Sequence, residues 1–405
     1  MKKKINTDTQ KIEELLTRGV EEALDLNHIR QTLMSGKQLR VKLGIDPTSP
    51  NLHLGRSVPL LKLRDFQELG HHIVFIVGDF TGVIGDTSDK DAERPMLNEK
   101  TIEQNIKTYK KQIAKILDVN KIEFCKNSSW LGKLKFNEIG KMANAFSVNG
   151  FIQRDNIRKR LEEGKRVSLR EVLYPLMQGY DSVVVRSDVE IGGTDQRFNI
   201  LAGRTLQTYH GQEPQDIIMG PIVAGLDGRK MSSSWGNTIN FMDAPVDMYG
   251  KVMSLHDNLI ITYLNLMTRV PISDIQKFKQ QLATGENPKN IKMHLAREIV
   301  TMYHSAKEAK QAEETWQSTF SKGLIPENAK TITVNIKEPM IDILIREGFV
   351  KSKTEFRQLI QDGAITFHGS IEERKIIDPN SLVGEDGALR IGKKRFLKIK
   401  IQKKK

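Results

Sequence analysis

The chain has 405 residues, 28% charged and 38% apolar, a balance that builds folded domains and excludes a disordered chain, with length enough for two or three cores. No run of 18 apolar residues offers a membrane span, polar Thr7–Lys11 stands where a secretory signal needs its apolar stretch, and the single Cys125 excludes an intrachain disulfide and suits a reducing cytosol. The net charge of +13 is uneven: residues 331–405 hold 16 Lys/Arg against 10 Asp/Glu, and nine basic and no acidic residues lie between Ala388 and Lys405, the electrostatic footprint of a polyanion partner. For Lys403–Lys405 alone, a solubilising tail is the plainer reading.

Along the first 238 residues, strand-like apolar runs at Arg40–Ile45, His72–Val77, Ile122–Cys125, Ser182–Arg186 and Ile217–Val223 alternate with helical patterns at Ser57–Leu69, Glu99–Leu117 and Gln196–Tyr209. That alternation predicts an α/β domain with a doubly wound, Rossmann-like parallel sheet. Residues 239–328 carry helical periods at Met248–Val252, Leu259–Leu266 and Ile291–Tyr303, punctuated by Pro271, Pro288 and Pro326, and predict an all-helical domain. Residues 329–405 predict a small α+β domain. It opens on Thr331–Ile336, and a capping box at Ser352-Lys353-Thr354-Glu355 starts a helix that ends at Gly363. Strands follow at Ala364–Phe367, before a turn at His368-Gly369-Ser370, and at Leu389–Ile391 and Phe396–Ile401.

Three stretches carry chemistry. Pro47 to Arg56 follows the first strand and opens a helix, so free backbone N–H groups face a crevice where phosphate can bind, and His53 can donate to a phosphate oxygen. Gly55, without a side chain, leaves room for an adenine to lie flat on the backbone. Gly228-Arg229-Lys230-Met231-Ser232-Ser233-Ser234 reads as a flexible polar loop that can close Lys230 over a triphosphate. In the Tyr174–Asp181 segment, Tyr174, Gln178 and Asp181 share one helix face. A phenol, an amide and a carboxylate are poor packing material, because each needs a partner when buried.

The first two stretches resemble the paired signatures of class I aminoacyl-tRNA synthetases. The third, with Gly78–Asp86 and Ile191–Gln196, resembles the tyrosyl branch of that family in bacteria, and the resemblance runs from about Asn27 to Lys400. It implies that Tyr174, Gln178 and Asp86 hold a substrate ammonium with Thr81 close by, that Asp46 belongs to the same subsite, that Asp181 accepts from a phenolic hydroxyl, and that Gln196 meets the carboxylate. Thr48, Gly55, Gly193, Asp195, Lys230 and Ser233 would bind ATP, with Gly193 and Asp195 on the ribose. Pro339–Ser370 is similar to an RNA-binding module of a small-subunit ribosomal protein, which implies RNA contacts at Lys351, Lys353 and Arg357, with Gln358 at a usually basic position. Arg56 and Ser233 depart from the signatures, and Lys42 stands where many relatives have a tyrosine that touches the substrate phenol.

The implied reaction is in-line attack of the tyrosine carboxylate on the α-phosphorus of ATP, then transfer of tyrosyl to the terminal adenosine of tRNA(Tyr). It needs no protein nucleophile, only positioning and stabilised phosphate charge from His53, Arg56, Lys230, Ser232 and Ser233. Magnesium is expected to accompany ATP, with no metal-ligand cluster or tightly bound cofactor of the protein's own. The resemblance also implies a homodimer that meets tRNA near Trp130–Arg154, no membrane partner, and a cytoplasmic enzyme. The tryptophanyl sister enzyme and a non-catalytic RNA binder stay open as alternatives.

Overall fold

The computed structural model describes residues 5–86, 96–321, 329–369, 373–392 and 395–402. Pro326, Ser370 of the expected turn and the Lys403–Lys405 end lie outside the described residues. Residues 1–312 form one compact unit and residues 313–405 another.

The first unit is built on a six-stranded sheet of β1 (Glu22–Leu24), β2 (Arg40–Ile45), β3 (His72–Val77), β4 (Ile122–Lys126), β5 (Val189–Gly193) and β6 (Asp216–Gly220), in the order β1-β6-β5-β2-β3-β4. The five strands β2 to β6 pair in parallel, while β1 adds an antiparallel edge on β6 that no sequence pattern announces. Residues 73–77 of β3 are all buried, as a strand covered on both faces must be. Helices Leu54–Leu69, Glu99–Ile113, Leu169–Val185 and Arg197–Tyr209 lie between the parallel strands in sequence. Chain order runs outward from β2 through β3 to β4, and in the opposite direction from β5 to β6. The crevice at such a reversal, beyond the strand ends, is where open α/β sheets bind ligands.

One expected strand is corrected. Ser182–Arg186 is no strand: Ser182 to Val185 close the Leu169–Val185 helix, and Arg186 caps it in the left-handed region at φ 49°. Three consecutive valines read equally well as a strand or as a buried helix end. The true neighbour of β2 is β5, whose Gly192 and Gly193 hide it from a β-branched pattern.

Beyond residue 240 the expected helices appear as Pro245–Met253, Ile260–Met267, Ile272–Ala283 and Pro288–Tyr303. Pro245 and Pro288 occupy first-turn positions, where no intrahelical N–H is needed. Arg269 ties this region to the Leu54–Leu69 helix, donating to the Leu61 carbonyl at 2.7 Å and to Asp65 at 2.8 Å. No helix among the described residues is long and apolar enough to cross a membrane.

The second unit has strands β7 (Lys330–Val334), β8 (Ile365–Gly369), β9 (Glu373–Lys375), β10 (Gly387–Ile391) and β11 (Arg395–Ile401), in the order β7-β11-β10-β8-β9. Only β7 and β11 pair in parallel. Helices Met340–Arg346 and Lys353–Gln361 bring Ile343, Leu344, Phe356 and Ile360 into a core with Phe367, Leu389 and Leu397. Ser352 caps the second helix, accepting from the Glu355 amide at 3.2 Å. The Glu355 carboxylate reaches the Lys351 amide at 2.7 Å, so the reciprocal half of the expected capping box is displaced by one residue.

Candidate active site

Backbone pairing joins the two signature stretches. The Leu54 amide donates to the Ile239 carbonyl at 2.9 Å and the Phe241 amide to Leu52 at 2.9 Å, with His53 and Asn240 bridged between them. Residues 239–241 immediately follow the Lys230 loop, so this short antiparallel stitch carries the loop to the start of the Leu54–Leu69 helix. Met231 secures the join, accepting from the Gly55 amide through its sulfur at 3.1 Å. A side chain at position 55 would put its Cβ 3.1 Å from the His53 ring, which adds a packing reason for glycine there.

His53 and Lys230 open onto one cavity of about 390 Å³. Its walls include every expected residue of the nucleotide and amino-acid sites: Asp46, Thr48, His53, Gly55, Arg56, Thr81, Asp86, Tyr174, Gln178, Asp181, Gly193, Asp195, Gln196, Lys230, Ser232 and Ser233. Lys42 is not part of this lining.

His53 is buried and its Nδ1 has no hydrogen-bond partner among the described residues. Burial, with the positive charges of Arg56 and Lys230, pushes the imidazole down to about 3, so at neutral pH the ring is an uncharged donor. Lys230 pairs with Asp195 across 3.0 Å. Asn237, buried beneath the loop, accepts from the Ser232 amide at 2.8 Å and donates to the Lys230 carbonyl at 3.0 Å and to Asp227 at 2.7 Å. The bond from Asn237, with those from Arg229, holds the Asp227 carboxyl down at about 2. The Arg229 guanidinium lies 4.7 Å from the centre of the Trp235 ring.

The residues expected to hold the amino acid form a chain of polar contacts. Asp46, immediately after β2, accepts from Thr81 at 2.7 Å and from the Tyr174 hydroxyl at 2.7 Å, and burial pushes its carboxyl up to about 6. A Cβ on Gly78 would fall 2.0 Å from Asp46, so the turn after β3 admits no side chain there. Gln196 donates to Asp86 at 2.7 Å. Deeper in, Asp181 accepts from Trp130 Nε1 at 2.8 Å and from the Asn127 amide at 3.3 Å, and burial pushes it up to about 7. The helix carrying Tyr174, Gln178 and Asp181 starts at a complete capping box, Ser168 with Glu171, and Glu171 is also gripped by buried Arg160 at 2.5 and 3.1 Å.

Sequence reasoning misses Asn127, Trp130, Glu190 and Asn237. Asn127 follows β4 directly, and its position beyond a parallel strand's carboxyl end is the available signal. The family resemblance puts Trp130 near a dimer and tRNA surface, yet its indole N–H turns to Asp181. Among the described residues, no group of three His, Cys, Asp or Glu side chains is arranged to hold a metal ion. In the second unit, Lys351, Lys353 and Arg357 are all exposed.

Over residues 34–321 the sequence matches the family described as tRNA synthetases class I (W and Y). The chain belongs to this family. It is 44% identical over 396 residues to a tyrosine–tRNA ligase of Moorella thermoacetica, which covers 95% of this chain and 94% of that one. A second tyrosine–tRNA ligase, from Carboxydothermus hydrogenoformans, is 43% identical over 407 residues, or 96% and 98% of the two chains. The tyrosyl-tRNA synthetase of Archaeoglobus fulgidus, solved with L-tyrosine, is 23% identical and shares the fold at a TM-score of 0.60 over 75% of this chain and 99% of that one.

Proposed function

We propose that this member of the class I synthetases is a tyrosine–tRNA ligase. It activates L-tyrosine with ATP, releasing pyrophosphate, and then transfers the tyrosyl group to the 3′-terminal adenosine of tRNA(Tyr). The observation that carries the choice of tyrosine is the buried Asp181 carboxylate in the wall of the cavity. A phenol can donate to it, whereas phenylalanine would leave it without that partner and incur the cost of burying a charge. The tyrosyl enzyme is itself the standard example of such strong rejection.

Within the cavity we assign the substrate ammonium to Tyr174, Gln178 and Asp86, its carboxylate to Gln196, and the ribose to Gly193 and Asp195. Asp46 and Thr81 support this subsite. His53, Arg56, Lys230, Ser232 and Ser233 supply the phosphate donors, beside Thr48 and Gly55. The attacking carboxylate is already ionised, so the protein's task is to align it with the α-phosphorus and to stabilise negative charge that develops on the phosphates. Magnesium enters with ATP as part of the substrate. Residues 1–238 act as the catalytic domain, 239–328 as a helical domain on the anticodon side of tRNA, and 329–405 as an RNA-binding domain through Lys351, Lys353 and Arg357. A homodimer in the cytoplasm is the assembly we favour, because Phe136 and Val148 are 90% and 68% exposed in the region expected to meet a second copy.

Pyrophosphate exchange tested with each standard amino acid decides the assignment. Exchange should depend on tyrosine. Exchange with tryptophan alone, or with none, would overturn it.

A further inference from the structure

Lys42 lies in the middle of β2 with no exposure to solvent, between Val41 and Leu43. Its ammonium donates to Ser182 Oγ at 2.6 Å and to the Gln178 carbonyl at 3.4 Å, and it pairs with Glu190 at 3.0 Å. Glu190, on β5, also accepts from Ser182 at 3.2 Å and from the Gln215 side-chain amide. One buried cation thus joins two strands to the helical turn that contains Asp181.

Such an arrangement is a poor route to stability. Desolvating two charges costs about as much as their attraction returns, and a well-packed apolar pair often serves as well or better. The placement points to another task. Glu190 and Asp181 both line the cavity, and Lys42, paired with Glu190, is not part of the lining. From other elements, Cys125 on β4 and the side-chain donors Asn127 and Trp130 also face Asp181, and Tyr174 belongs to its own helix. Burial pushes the Cys125 thiol up to about 11 and the Tyr174 hydroxyl well above its ordinary value, so both stay neutral at working pH. Of the charges around Asp181, those of Lys42 and Glu190 act on it most.

We propose that Lys42 is a positioning residue for substrate selection: its ammonium fixes the Gln178–Ser182 turn against Glu190 and so holds the Asp181 carboxylate where it can accept the hydroxyl of the bound amino acid. This rests on the assignment of Asp181 to the substrate phenol. After burial, the Lys42 charge is the largest influence on Asp181 and opposes its protonation. Without it, protonation of Asp181 moves further up, and less of the carboxylate is ionised at neutral pH.

The test follows kcat/KM for tyrosine and for phenylalanine in pyrophosphate exchange from pH 6 to 9, in the wild type, Lys42→Met, Lys42→Arg and Lys42→Met/Glu190→Gln. In Lys42→Met the acid limb of the tyrosine profile should move up by about one pH unit, about a fivefold loss of preference for tyrosine near pH 7 that recovers toward pH 9. The phenylalanine profile should keep its shape, and Lys42→Arg should retain the wild-type limb. The double variant removes the carboxylate that threatens folding of the single one. Its limb should still move up, by less, because the opposing charge of Glu190 has gone too. Equal proportional losses for both amino acids, or an unmoved limb in the single and double variants, would overturn the proposal. Asp181→Asn separates the two layers: wild-type discrimination in that variant would sink the phenol assignment itself.

Discussion

Asn237 offers a direct way to separate presentation of Lys230 from binding of tyrosine. Its side chain makes two short bonds to the loop backbone, with the Ser232 amide at 2.8 Å and the Lys230 carbonyl at 3.0 Å, a longer one to the Arg229 carbonyl at 3.4 Å, and one to the carboxylate of Asp227. In Asn237→Ala the loop amide and carbonyl lose their internal partners. Two neutral hydrogen bonds at about 1 kcal/mol each give about 2 kcal/mol. The bond to Asp227 is discounted, since that carboxylate has access to water. About 2 kcal/mol is about 30-fold in the population of the ordered loop. Pyrophosphate exchange should therefore fall by up to about 30-fold, through ATP. Tyrosine affinity, measured by equilibrium dialysis, should hold, because Asp46, Asp86, Tyr174 and Asp181 sit on other elements. The thermal midpoint should move little. A parallel loss of tyrosine affinity would show that Asn237 supports the whole cavity and refute the reasoning, as would wild-type exchange.

Lys230→Ala should lower the activation rate on the order of a hundredfold or more, as loss of one oxyanion-type donor does, while Arg56→His should retain more pyrophosphate exchange than Arg56→Ala. Replacing Lys351, Lys353 and Arg357 with alanine should raise KM for tRNA and leave pyrophosphate exchange unchanged. The salt dependence of tRNA binding should flatten by about 0.7–0.9 in log–log slope for each phosphate that the variant no longer neutralises. Asp46 and Asp181 are pushed up to about 6 and about 7 by burial, so between pH 4 and 7 these two carboxyls bind more protons in the folded protein than in the unfolded chain. Their contribution to stability is full below pH 4 and is lost as pH rises through 7. The urea midpoint should fall less over that range in Asp181→Asn than in the wild type.

What the sequence discloses follows how local the chemistry is. His53, Gly55 and Lys230 are legible because a strand, a turn and a helix start, or a short polar loop, need certain residues within a few positions of one another. Tyr174, Gln178 and Asp181 are legible because helix periodicity puts them on one face. Asn127 and Trp130 reach Asp181 from more than fifty residues away, and nothing in their neighbourhood records the contact. Lys42 is visible as a departure from its relatives, but only the pairing of β2 with β5 reveals Glu190 as its partner. The Ser182–Arg186 stretch misleads for a related reason: three valines state that a segment is buried and leave its backbone geometry to the tertiary fold.

The convergence of the signatures also constrains how Lys230 can act. The stitch of Leu52 and Leu54 to Ile239 and Phe241 anchors one end of the loop, and the Met231 amide bonds the Val223 carbonyl at 2.8 Å beside the end of β6. Between Val223 and Ile239 the Lys230 side chain reaches Asp195 in the wall of the cavity. That pair is partly solvated, with 28% and 20% of its side-chain surfaces exposed, and pairs of this kind contribute about 0–1 kcal/mol. Leaving Asp195 is therefore a small cost beside the attraction of a triphosphate bearing several negative charges. On the proposed assignment, a swing of one side chain from carboxylate to phosphate, over a backbone held at both ends, would bring the ammonium into play.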